Sequence, residues 1–125
     1  MAAPAADRFF VTSDGVRLHY LEAGSGHTIV LVPGWTMPAW IWQPQIDYFA
    51  RAYHVVALDP RSQGDSQITW SGDEPFRRSQ DIAELIARTS AEPVLLVGWS
   101  LGVLDALAYV RTHGDRQIAG LVLID

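Results

Sequence analysis

The sequence predicts an α/β fold with an N-terminal antiparallel hairpin, then a mostly parallel sheet with helices on both faces. Three observations carry this prediction. Apolar, largely β-branched or aliphatic runs recur at Thr28–Val32, 54–58 and 94–97, which read as strands buried on both faces, and Ile118–Ile124 closes the chain as a last strand. Stretches of helical period lie between them, and this alternation implies parallel strands joined by crossover helices. The residues that end the strands are Gly, Pro, Ser and Asp, the types that chemistry at a strand edge requires.

Taken in order, residues 8–12 and 16–23 form two strands around Ser13-Asp14-Gly15, since Asp-Gly between strand-like runs signals a hairpin. Thr28–Val32 is the next strand and ends at Pro33-Gly34. Residues 44–50 suit a short helix. Residues 54–58 form a strand ending at Asp59-Pro60. Residues 61–75, rich in Gly, Ser, Asp and Gln, are loop. Residues 79–89 put Ile82, Leu85 and Ile86 on one face, with Glu84 and Arg88 spaced for an i,i+4 ion pair, and so form an amphipathic helix. A strand at 94–97, a helix at 101–111 and a strand at Ile118–Ile124 complete the pattern. Residues 1–7 are expected to be a flexible tail, leaving one domain portion from residue 8 to residue 125.

Composition limits the chemistry. The 125 residues are 49% apolar and 18% charged, which is a globular balance. A formal charge of −5 argues against a nucleic-acid binder. The chain has no cysteine, which removes thiolate nucleophiles and Cys-ligated metals. All nine basic residues are arginine, which removes Schiff-base chemistry. The apolar runs are far shorter than the ~20 residues a membrane-spanning helix needs. The four histidines are scattered without metal-ligand spacing, so no metal or organic cofactor is expected. The N-terminal Met-Ala-Ala-Pro-Ala-Ala has no basic or apolar signal-peptide region. It could still be a trimmed signal-peptide junction, which leaves the compartment open between cytoplasm and periplasm.

Ligands of open α/β sheets bind at the carboxyl ends of the strands. After residues 94–97 comes Gly98-Trp99-Ser100-Leu101-Gly102, a Gly-x-Ser-x-Gly pattern between a buried strand and a helix. In that context the pattern describes a nucleophile elbow, with Ser100 thrust out at a helix N-terminus. After Thr28–Val32 comes Pro33-Gly34-Trp35-Thr36. An oxyanion hole needs two N–H donors, and the backbone amides of Trp35 and Leu101 are the candidates. Pro33 has no N–H to offer. Asp59 and Arg61, in the loop after residues 54–58, are expected to hold that loop near the oxyanion turn by polar contacts.

These residues make the chain resemble the N-terminal half of an α/β-hydrolase-fold enzyme, most closely the esterase, haloperoxidase and C–C hydrolase branch. The Gly34-Trp35 turn with Trp42 eight residues after the glycine, the Asp-x-Arg-x-x-Gly-x-Ser loop at 59–66 and the Gly-Trp-Ser-Leu-Gly elbow carry the resemblance over residues 8–125. Two positions depart from it. The family usually has His where this chain has Pro33, and Gly where it has Ser62.

The resemblance implies a triad in the chain order Ser, acid, His. No histidine here fits the base. His19, His27 and His54 lie in or before early strands, where strand starts fall on the wrong edge of a parallel sheet. His113 is at the far end of the elbow helix, ~20 Å from Ser100 at ~1.5 Å per residue. Asp125, ending the last strand, is a candidate acid, because some members of the fold carry it there. Asp105 turns away from Ser100 along its helix and reads as structural.

The resemblance also implies further strands, a cap and the His-bearing loop beyond Asp125. An apolar strand at Ile118–Ile124 would otherwise be an open edge. The expected partners are a small-molecule substrate and a C-terminal polypeptide that completes the fold, or another copy of this chain. Two functions stay open. One is a serine hydrolase acting on a small apolar ester or related acyl substrate, with Trp35, Trp40, Trp42, Trp70 and Trp99 available to line its pocket. The other is a catalytically incomplete half-domain that serves as a binding or self-association module.

Overall fold

The computed structural model describes residues 4–125. Six strands form one sheet: β1 (Ala6–Val11), β2 (Arg17–Ala23), β3 (Thr28–Val32), β4 (His54–Asp59), β5 (Val94–Trp99) and β6 (Ile118–Ile124). Their order across the sheet is β1-β2-β4-β3-β5-β6. β1 pairs antiparallel with β2, and β2 antiparallel with β4. The pairs β3–β4, β3–β5 and β5–β6 are all parallel. This is the expected hairpin followed by a parallel sheet. The hairpin turns through Gly15, whose φ of +84° is ordinary only for glycine.

The parallel strands β3, β4 and β5 are buried on both faces, and their alternate residues feed two cores, whereas the edge strand β6 is largely exposed. Val30, Val32, Val56, Leu58 and Leu96 meet Ile82, Leu85 and Ile86 of α2 (Pro75–Thr89) and Ala106 and Tyr109 of α3 (Gly102–His113). On the other face, Ile29, Leu31, Val55 and Ala57 meet Ile46 of α1 (Gln43–Phe49) and Ala39 and Trp42 of a 3-10 turn (Ala39–Trp42). Helices therefore cover both sides. Removing a side chain such as Leu96 or Val30 from water contributes ~1.5–3 kcal/mol each.

Two boundaries and one ion pair differ notably from expectation. β1 begins at Ala6, inside the stretch expected to be tail, and Asp7 accepts a hydrogen bond from the His19 ring (2.7 Å); residues 1–3 of that expected tail lie outside the described residues. α2 begins at Pro75 rather than residue 79. Pro is at home in a first helical turn, and the buried residues Arg78, Ser79 and Asp81 are polar, so hydrophobic period could not register them. The expected Glu84–Arg88 pair is absent among the described residues. Glu84 accepts instead from the Ser13 amide (2.7 Å) and from Arg77 (2.9 Å), and Arg88 lies over the Phe10 ring. Tertiary partners have displaced a weak helical pair.

Candidate active site

The elbow is shaped by close backbone approach. A Cβ at Gly98 would stand 2.6 Å from the Gly102 carbonyl oxygen, and a Cβ at Gly102 would stand 2.5 Å from that of Val32. Only glycine lets β5, α3 and the end of β3 come this near. Ser100 occupies the left-handed region at φ +56°, a conformation that costs an L residue ~1–2 kcal/mol. Its amide donates to the Ile124 carbonyl of β6 (2.8 Å), and its own carbonyl accepts from the Val103 amide (3.0 Å). The turn is thus pinned on both sides, and Ser100 is exposed at the carboxyl edge of the sheet.

The turn after β3 packs directly against the elbow. A Cβ at Gly34 would lie 3.1 Å from Ser100 Cβ and 3.5 Å from its Oγ. The Met37 amide closes this turn on the Gly34 carbonyl (3.1 Å), and Thr36 is left-handed at φ +66°. Among the described residues, neither the Trp35 nor the Leu101 amide donates to a backbone carbonyl outside regular elements. Trp35 follows Gly34 in the turn packed on the elbow, and Leu101 follows Ser100 just before α3 begins.

The loop after β4 supports the turn through one of the two expected residues and one that was not expected. Asp59 does so: its Oδ1 accepts from the Ala39 amide (2.6 Å), just past the turn, and its Oδ2 from the Asp65 amide (2.9 Å) and the His19 ring (2.6 Å). Arg61 does not. Its buried guanidinium donates to Asp81 through Nε (2.7 Å) and Nη2 (2.8 Å), and to Asp14 of the hairpin turn. It ties the first hairpin to α2. The Arg61 hydrogen bond, reinforced by the Thr12 hydroxyl and the charge of Arg77, outweighs burial and holds the Asp14 carboxyl well below its ordinary value.

The contact with the turn comes from Gln63, which the sequence did not single out. Its Nε2 donates to the carbonyls of Gly34 (3.0 Å) and Met37 (2.8 Å). Its Oε1 accepts from Arg78 Nη2 (3.2 Å), and Arg78 Nε donates to Asp105 Oδ2 (2.9 Å). Burial pushes the Asp105 carboxyl up against the opposing charge of Arg78. Asp105 is structural, as expected. No residue-type pattern marks Gln63 or Arg78, because the turn carbonyls they serve are distant in sequence.

The histidines stand away from Ser100. His19 is a correction in detail. β2 runs antiparallel, so His19 pairs with Asp59 at the carboxyl edge rather than the opposite one. Three strand spacings of ~4.8 Å still separate β2 from β5. His54 bonds Glu22 (2.7 Å) and Thr28 (2.8 Å) at the other end of the sheet. His113 ends α3 beside the Tyr109 ring. Asp7, His19 and Asp65 each bring a ligand atom within 4.8 Å of the others. Both His19 nitrogens are already engaged, by Asp59 and Asp7, which gives the group a structural explanation. Asp125 follows Ile124, the residue whose carbonyl holds the Ser100 amide, and so lies beside the elbow.

The tryptophans do not share one pocket. Trp42 is buried and lines a cavity of about 250 Å³ with Trp99 and Ile124. Trp35 lines a separate one of about 200 Å³ with Leu101, Leu104 and Arg78. Trp40 and Trp70 are exposed.

A sheet of this order, with a serine on a glycine-framed strand–helix turn at its carboxyl edge, defines the α/β-hydrolase class of protein. Residues 29–125 match the model of the alpha/beta hydrolase family, and the chain belongs to that family. It is 32% identical over 117 residues to a non-heme haloperoxidase of Rhodococcus erythropolis, a match covering 93% of this chain and 43% of the relative. It is 33% identical over 111 residues to a soluble epoxide hydrolase of a Corynebacterium species, covering 89% of this chain and 38% of the relative. An esterase from Exiguobacterium antarcticum superposes with a TM-score of 0.91 at 27% identity, over 94% of this chain and 44% of the esterase. The chain therefore spans less than half the length of the proteins it matches, and corresponds to the N-terminal half of the fold.

Proposed function

We propose that this chain supplies the nucleophile and the oxyanion donors of a serine hydrolase acting on a small, apolar ester or related acyl substrate. The observation that carries this reading is Ser100 itself: an exposed hydroxyl on a strained elbow, packed against Gly34. Its Oγ attacks the acyl carbon, and a histidine from a C-terminal polypeptide takes the proton. The Trp35 and Leu101 amides bind the oxyanion as it forms. The alcohol leaves with the proton held by the histidine. Water, deprotonated by the same histidine, then hydrolyses the acyl-serine ester and frees the acid. Asp125, beside the elbow, is the candidate acid that orients the histidine.

The serine favours acyl transfer over the epoxide hydrolysis named for one of the relatives. Attack of a serine alkoxide on an epoxide carbon would form an ether, which has no carbonyl for water to attack. Attack on an ester forms an ester, which water can clear. Exposed Trp35 and Leu101 side chains and the apolar cavity at Trp42 and Trp99 suit an apolar acyl or alcohol group.

The C-terminal polypeptide also covers β6, whose residues Leu121–Ile124 are exposed on both faces. Without it the chain is inactive, because no histidine of this chain is placed to serve Ser100. The test is labelling by a fluorophosphonate. The intact protein carrying this sequence is expected to label stoichiometrically, Ser100→Ala not at all, and residues 1–125 alone far more slowly. Failure of the intact protein to label would assign the chain to the other reading, an incomplete half-domain used for binding or self-association.

A further inference from the structure

We propose that Gln63, oriented by Arg78 and Asp105, is the positioning residue that sets the Trp35 amide against Ser100. This rests on the serine hydrolase reading above. The two carbonyls that Gln63 Nε2 holds, those of Gly34 and Met37, bracket Trp35 and Thr36. Thr36 is in a left-handed conformation, so the turn carries strain that its single internal closing bond must oppose. One carboxamide nitrogen grips both ends of the segment that presents the Trp35 N–H.

The orientation of that carboxamide is fixed by its neighbours. Carbonyl oxygens only accept, and a guanidinium only donates. Rotating the Gln63 amide by half a turn would aim Oε1 at two carbonyls and Nε2 at Arg78. Arg78 therefore selects the single rotamer that donates to the turn. Arg78 is in turn held by Asp105, and all three residues are at most 6% exposed. Asp105 sits one helical turn beyond Leu101 on α3. The path Leu101, Asp105, Arg78, Gln63, turn, Trp35 thus closes a loop linking the segments of both oxyanion donors across α2.

The experiment uses the intact protein and separates the fluorophosphonate reaction into reversible binding and the first-order labelling step. Gln63→Glu keeps size and the contact with Arg78 but replaces the two donated bonds by carboxylate–carbonyl repulsion. The labelling step is expected to slow ~100-fold, the scale of one misplaced oxyanion donor, with reversible binding changed by less than ~3-fold. Arg78→Lys keeps the charge beside Asp105 but removes the bond that orients Gln63, and serves if Gln63→Glu does not fold; it is expected to slow the step ~10-fold. Amide hydrogen exchange across residues 35–37 is expected to accelerate in both variants while β5 is unchanged. Labelling within ~3-fold of the unsubstituted protein, with exchange at residues 35–37 unaltered, would overturn the positioning role alone. Absence of labelling in the unsubstituted protein would overturn the serine reading beneath it.

Discussion

Gly34 faces Ser100 with no room for a side chain between them: a methyl there would stand 3.1 Å from Ser100 Cβ and 3.5 Å from the Trp99 ring. The one tight contact is with Ser100 Cβ, which side-chain rotation does not move, so the turn and the elbow must part by a few tenths of an ångström, and Gly34→Ala is expected to fold. Overpacking of this kind costs ~1–3 kcal/mol. The larger effect falls on Ser100, whose Cβ and hydroxyl are displaced relative to the turn. The fluorophosphonate labelling rate is expected to drop by ~10- to 100-fold, since small displacements of a reacting atom are expensive. Unchanged labelling would show that Ser100 Oγ points away from Gly34 when it reacts.

The φ of +56° at Ser100 separates strain from chemistry. Ser100→Ala and Ser100→Gly both remove the hydroxyl, and both are expected to abolish labelling. They should differ in stability. Alanine keeps the strained Cβ, whereas glycine relieves it, so Ser100→Gly is expected to exceed Ser100→Ala by ~1 kcal/mol. Urea midpoints of the two variants read this directly, and equal midpoints would show that the elbow stores no strain at this residue.

Gly102 meets backbone rather than side chain. A methyl there would lie 2.5 Å from the Val32 carbonyl oxygen and 2.8 Å from that of Pro33. Neither atom can move without shifting the end of β3 away from α3. Gly102→Ala is therefore expected to lower stability by ~3 kcal/mol and to separate the turn at Gly34 from the elbow. Thermal unfolding checks the first effect and the labelling rate the second. A variant of normal stability would mean that α3 slides along β3 at little cost.

Much of this architecture was legible in the sequence. Runs such as Thr28–Val32 could bury both faces only in a covered parallel sheet, and Gly98, Ser100 and Gly102 fell at a strand–helix junction where their spacing had one reading. The polar framework was not legible. Arg61 stood in the loop expected to brace the turn, yet its planar fork found Asp81 and Asp14, which lie 20 residues ahead and 47 behind. Gln63 took the bracing role because its amide, unlike a guanidinium, can donate to carbonyls and accept from Arg78 at once. Ser62 is instructive in the same way. At φ +67° it occupies a backbone conformation suited to glycine, the residue that the family resemblance implies there. Its hydroxyl accepts from the Thr69 amide (3.0 Å), a bond glycine could not make. Such choices depend on three-dimensional neighbours, and residue type alone does not announce them.

The Asp14 carboxylate offers a pH-resolved test of how the first hairpin is held to α2. Its ordinary value is 3.8, and the Arg61 hydrogen bond is the main cause of its lowering in the folded protein. A carboxyl lowered on folding contributes stability that is fully present above its unfolded value and is lost as pH falls through its folded value. Asp14 is partly exposed, at 39%, so solvent screening reduces the contribution to ~1 kcal/mol. Asp14→Asn is therefore expected to destabilise the protein by that amount at neutral pH. The gap should narrow once pH drops below 3.8, as the unfolded carboxyl protonates. It should close when Asp14 is neutral in the folded protein as well. Urea unfolding of both proteins at neutral pH and at about pH 3 supplies the comparison. A gap of the same size at both values would mean that Asp14 acts through packing and neutral hydrogen bonds, and that Arg61 gains its hold on the structure from Asp81 alone.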